Sequence, residues 1–123
     1  MITDLKQTER GWGGHFCDSF HCLFRRNTLL EYYNLKIVIS TMGAWHPLGR
    51  NNEAQEIGSG RHYETVVFHA LTEDGYNDID IKKGQIEFES DWKTERLEDD
   101  LLANTKHDLV VKEIRERLLE GML

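Results

Sequence analysis

The side chains best suited to chemistry in this 123-residue chain are arginines set beside aromatic rings in its first half. Phe24-Arg25-Arg26-Asn27-Thr28 is the densest group, and Arg10, Trp12, Phe16, Arg61 and Tyr63 add to it. A guanidinium is a planar fork of donors that matches two oxygens of a phosphate at once. A flat ring beside it can stack on a nucleobase, each stack contributing on the order of 1–3 kcal/mol. The pattern therefore points to an anionic, ring-bearing small molecule. Neighbouring residues of a strand face opposite ways, so at most one of Arg25 and Arg26 can face a given pocket. The structural alternative is that these arginines pair with Glu31 or Glu64 while the aromatics fill the core.

Other chemistries find weaker footing. His15, Cys17, His21 and Cys22 cluster within eight residues. A structural zinc site, however, needs two ligand pairs separated by a loop, and no spacing selects a second pair from His46, His62 or His69. No metal ligand is assigned. A cysteine–histidine nucleophile pair needs proximity that spacing does not provide. There is no G-x-S-x-G elbow, no G-x-x-x-x-G-K-[ST] loop and no strand-coupled G-x-G-x-x-G. Paired carboxylates such as Glu87/Glu89 and Asp99/Asp100 read as solvated faces. No catalytic residue is assigned, and binding is favoured over catalysis.

The elements that must position the arginines are legible in outline. Phe16, Phe20 and Phe24 lie four apart, which fits a short helix or a loop feeding a strand. The run Cys22–Tyr33, a turn at Asn34-Leu35 and the β-branched Lys36–Thr41 can form a hairpin. Residues 43–60, rich in Gly and Asn, form a long loop of the kind that carries function. Tyr63–His69 is a second strand and Glu73-Asp74-Gly75 a turn. Ile79–Ile81 and Gln85–Glu89 alternate apolar and acidic, as strands with one wet face do. Leu97, Leu101 and Leu102 make a short helical stripe. Thr105 reads as a cap for a helix over 106–121, whose apolar stripe is Val111, Ile114, Leu118 and Met122. Glu113 and Arg117, and Lys112 and Glu116, lie one turn apart on its other face. The fold class is α+β: a small antiparallel or mixed sheet from the N-terminal two-thirds, with C-terminal amphipathic helices packed on it or at a subunit interface. The whole is one domain, with a β-rich ligand-binding part over 10–92 and a helical part over 94–121.

Charge is uneven. The net −7 divides into seven Lys/Arg against six Asp/Glu over residues 1–63, and eight against sixteen over 64–123. An acidic protein does not bind nucleic acid by general charge, so an anion is expected where arginine is concentrated. Met1–Arg10 lacks the apolar stretch of a signal peptide, and Ile37-Val38-Ile39 is too short to cross a bilayer. Cys17 and Cys22 offer no disulfide framework, which points to a reducing cytoplasm.

Four runs carry a family resemblance: Gly11-Trp-Gly-Gly-His-Phe16, Cys22-Leu-Phe-Arg-Arg-Asn-Thr-Leu-Leu-Glu31, Ile37-Val-Ile-Ser-Thr41, and Arg61-His-Tyr-Glu-Thr65 through Phe68-His69. They resemble small bacteriophage-encoded proteins. Within that set the chain is most similar to the first-described Thoeris anti-defence family, the signal sponges, over roughly residues 10–92. The resemblance implies a protein of the host bacterial cytoplasm that holds cyclic ADP-ribose isomers without cleaving them. It also implies a homo-oligomer, no cofactor, no membrane partner, and in some members a second site for cyclic oligonucleotides. On chemical grounds, Arg25 or Arg26 and Arg61 would then contact phosphate. Trp12, Phe16 or Tyr63 would stack on the base, and Asn27 or Asn77 would reach ribose. The alternatives are a phage inhibitor that blocks a host defence protein by direct contact, its acidic half mimicking nucleic acid, or a small nucleotide-processing enzyme.

Overall fold

The β-branched run at Ile37–Thr41 becomes the centre of β3 (Leu35–Trp45), which is longer at both ends than its sequence pattern suggests. A computed structural model describes residues 4–10, 15, 18–49, 51–57, 62–73, 76–80, 82–88 and 100–123, apart from the side chains at 10, 19, 72, 73 and 76–79. Around β3 lie β1 (Leu5–Arg10), β2 (Cys22–Tyr32), β4 (Tyr63–Glu73) and β5 (Tyr76–Ile79). The order is β1-β2-β3-β4-β5, and every pairing is antiparallel. The expected hairpin is β2–β3, closed between Tyr32 and Leu35. Its first loop residue, Tyr33, has φ 55, the sign whose twist suits two-residue hairpin loops.

A single helix, α1 (Asp100–Leu119), covers one face of the sheet, so the described residues form an α+β fold with one C-terminal helix. The register aligns Leu30, Ile37 and His69 across three strands, then Thr28, Ile39 and Val67, then Arg26, Thr41 and Thr65. These rows face α1. Leu30, Ile37, Ile39 and Val67 pack with Ile86, Val110, Val111, Ile114 and Leu118 as the main core. Each such side chain contributes about 1.5–3 kcal/mol on full burial. The other face holds Leu29, Val38, Phe68 and Ala70. With both faces covered, β3 is buried without a break from Ile37 to Ala44.

Several expectations change. Leu101 and Leu102 belong to the same helix as Val111, Ile114 and Leu118, and Thr105 does not cap it. Thr105 sits in its second turn, its hydroxyl donating to the Leu101 carbonyl at 3.0 Å, because the helix starts five residues earlier at Asp100. Met122 leaves the apolar stripe and is exposed. Ala103, His107 and Val110 complete the buried face, and Glu113 does pair with Arg117 at 3.8 Å. Around Phe20 there is a three-residue 3-10 turn, Ser19–His21, feeding β2. The polar Leu5–Arg10 forms an edge strand with no apolar alternation to announce it. Gln85–Phe88 meets β4 through one bridge, Phe68 to Gln85, yet keeps its alternation, with Ile86 buried and Glu87 exposed. Leu97, Ile81, Glu89 and the 74–75 turn lie outside the described residues.

Candidate functional site

Three polar clusters sit on this sheet. The first lies between sheet and helix. His107, fully buried in α1, places Nε2 2.8 Å from Thr28 Oγ1 and Nδ1 2.7 Å from Thr41 Oγ1. Thr28 donates to Glu9 Oε1 at 2.9 Å. Burial pushes the Glu9 carboxyl up, but hydrogen bonds from Arg26 and Thr28 outweigh it and hold it below the usual range. Glu9 is therefore a carboxylate and can only accept. Thr28, having spent its one proton on Glu9, must accept from His107 Nε2–H. His107 Nδ1 then accepts from Thr41, and Thr41 from Thr65, 2.8 Å away. One proton order satisfies the chain, with His107 neutral. Burial, then the Arg26 charge, pushes its pKa down to about 4.

Arg26 closes this cluster. Its guanidinium contacts Glu9 Oε1 at 2.8 Å, Asp108 Oδ1 at 2.8 Å and the Asn104 carbonyl at 3.4 Å, joining β1, β2 and α1. Its partners are half exposed or more, so the clamp is worth little more than a surface pair. Arg26→Ala is expected to lower stability by about 1 kcal/mol, read as a shift in the denaturant midpoint at unchanged slope.

The second cluster is on the opposite face. His15 Nδ1 lies 2.8 Å from Ser40 Oγ and its Nε2 2.9 Å from Glu64 Oε1, with Phe68 edge-on at 6.1 Å. The residue types are those of a nucleophile, base and orienting acid. Ser40 is 0% exposed at mid-strand, so its hydroxyl is a tether for His15.

The third cluster is at the loop end of β3. Asp18 accepts from Trp45 Nε1 at 2.7 Å and binds His21 Nδ1 at 2.7 Å; these bonds hold its carboxyl below the usual range. Trp45 bridges to Gln55, which folds the 51–57 segment back on the strand. Together with Glu53, Ala54, Glu56 and His62 they line a cavity of about 540 Å³, within the range that holds small ligands. His62 Nδ1 is buried and makes no hydrogen bond among the described residues.

The sequence-derived site residues divide. Phe24 and Tyr63 pack edge-on at 5.8 Å in a buried cluster with Ala44 and Ala103. Tyr63 also donates to Asp100 Oδ1 at 2.7 Å. Asn27 is buried and Arg25 exposed, both on the face away from α1, while Arg26 faces it. The acids expected for the arginines go elsewhere: Glu31 lies opposite Lys36, and Glu64 binds His15. These five residues do not converge on one hollow. Trp12, Phe16 and Arg61 lie outside the described residues, as do the side chains of Arg10 and Asn77. Sequence reasoning missed Trp45, His62 and His107. Trp45 lies inside the long loop read at 43–60 and His62 just after it, and that position was the signal that could have found them.

No family model, curated protein or solved structure matches the chain.

Proposed function

We propose that the protein binds a cyclic nucleotide signal, such as a cyclic ADP-ribose isomer, and sequesters it uncleaved. The observation that carries this reading is the loop-end cavity of about 540 Å³, with Trp45 and His62 among its walls. An indole gives a base a stacking surface, and His62 Nδ1, without a hydrogen bond among the described residues, gives a ligand a polar contact. The exposed carboxylates of Glu53 and Glu56 accept from ribose hydroxyls and repel phosphate, so the sugar belongs at that rim. The phosphates belong toward His62, beside which Arg61 stands in sequence. Sequestration is stoichiometric and needs a Kd on the order of nanomolar, about −12 kcal/mol. The protein is proposed to act in the bacterial cytoplasm and as a homo-oligomer. The described residues include no helix long and apolar enough to cross a membrane.

Calorimetric titration against a panel of cyclic nucleotides tests this, followed by denaturation and chromatography of the released ligand. Intact ligand is expected. A cleaved product would make the protein an enzyme. Trp45→Ala is expected to weaken binding about ten- to a hundredfold, the loss of one stack, whereas Trp45→Phe retains most of the affinity.

A second reading has its own observation. Glu87, Glu113, Glu116 and Glu120 surround Phe88 and Met122 in a groove of about 530 Å³, with Arg117 turned to Glu113 and the Glu87 carbonyl. That surface suits a basic protein partner. It takes first place if no nucleotide shifts the melting temperature.

A further inference from the structure

Most of the wall of the loop-end cavity comes from one segment, Glu53, Ala54, Gln55 and Glu56, which lies in no helix or strand. Consecutive residues at the end of β3 hang it on the sheet. The Trp45 carbonyl accepts from Gln55 N–H at 2.8 Å. His46 Nδ1 lies 2.9 Å from the Asn52 carbonyl, which can only accept, so Nδ1 carries the proton and donates. The first tie joins backbone to backbone. The second depends on a single side chain, whose own backbone is fixed by His46 N–H donating to the His21 carbonyl at 2.9 Å.

Two local costs stand on either side of Trp45. Ala44 has φ 51, in the left-handed region that residues with a β carbon seldom adopt. His46 is 6% exposed, and its Nε2 is buried with no hydrogen bond among the described residues. An apolar side chain of the same shape would leave no such atom unsatisfied. Backbone strain and orphaned buried atoms of this kind concentrate where a site must be held in shape.

We propose that His46 is a positioning residue of the nucleotide cavity, which it does not itself line: by holding the Asn52 carbonyl it sets the 53–56 wall in place before a ligand arrives. The inference rests on the nucleotide reading of that cavity. A wall ordered in advance spares the ligand the entropy of ordering it, so the tie is expressed as affinity.

His46→Leu removes the tie together with the orphaned nitrogen, and the released Asn52 carbonyl belongs to an exposed residue that water can satisfy. In ligand-free protein, amide hydrogen exchange at Gln55 should quicken about tenfold, the equivalent of one hydrogen bond, with the centre of β3 unaffected. Affinity for a cyclic ADP-ribose isomer should fall about tenfold, while the denaturant midpoint is unchanged or higher. His46→Asn, whose Nδ2 can take the place of Nδ1, should restore slow exchange and bring the affinity within about threefold of wild type. Unchanged Gln55 exchange in His46→Leu would overturn the proposal, as would an affinity loss matched by a lower midpoint and not rescued by His46→Asn. A wild type that binds no nucleotide would remove the reading on which the inference rests, whereas tight binding by wild type and His46→Leu alike would remove the inference alone.

Discussion

Denaturant unfolding at about pH 4.5 is expected to show the protein about 2–3 kcal/mol less stable than at about pH 7.5, with His107 as the main source. Its pKa is about 4 in the folded protein and near 6.5 in the unfolded chain. The depressed value means that the fold holds the ring neutral while the unfolded chain takes up a proton. The contribution is fully present above pH 6.5, falls as pH drops toward 4, and is gone below it. Around the ring stand Thr28 and Thr41 from the sheet, and the charges of Glu9, Arg26 and Asp108. Arg26 opposes a second positive charge, and burial opposes it more. His69 shifts in the same direction, by burial and then the Lys83 charge, so it adds a smaller loss of the same sign. His107→Gln keeps a donor and an acceptor but cannot titrate. It should flatten most of the slope between pH 6.5 and 4. An unchanged slope in that variant would remove the buried histidine as the cause.

Gly43→Ala is the second large effect, a loss of about 2–3 kcal/mol through overpacking. A Cβ at this position would stand 2.1 Å from Tyr63 Cδ1 and 2.8 Å from the His62 carbonyl oxygen. The ring cannot simply turn away. It is 1% exposed, packs on Phe24 and ties its hydroxyl to Asp100 at the start of α1. The carbonyl is also fixed, since it accepts from Ala44 N–H at 3.2 Å. Thermal and denaturant unfolding measure the loss. Adding Tyr63→Leu removes the ring edge, so the double variant should lose at least about 1 kcal/mol less than the sum of the singles. Strict additivity would mean that the ring is not what the new methyl meets. Because His62 precedes Tyr63 and lines the proposed cavity, Gly43→Ala should also weaken nucleotide binding.

Both effects arise at residues whose importance is invisible in a linear reading. Gly43 stood in the sequence as one of several loop glycines, yet it is a strand residue directly opposite Tyr63. The glycine is needed because an aromatic ring lies on it. His107 looked like part of a helix start, since Thr105-Lys-His-Asp108 resembles a cap. The helix already runs from Asp100, whose carboxylate meets Tyr63 thirty-seven residues earlier. In each case the deciding partner lies on another element.

The candidate site shows the same division. The expectation that Arg25 and Arg26 face opposite ways is borne out, because side-chain alternation is a property of a single strand. Which of them meets an acid, and which acid, depended on β1 lying beside β2 and α1 lying across both. Glu9 and Asp108 therefore took the place of Glu31 and Glu64 as partners.

Local chemistry thus specified the β2–β3 hairpin, the buried central strand, the amphipathic C-terminal helix and the charge asymmetry, because period and propensity act over a few residues. Long-range register assigned the roles. It turned Arg26 into a clamp, made His107 a neutral link between helix and sheet, sank Phe24 and Tyr63 into the core, and gathered Trp45, Gln55 and His62 around a hollow. A polar group's partner is whatever the folded neighbours present, and spacing along the chain carries no record of that.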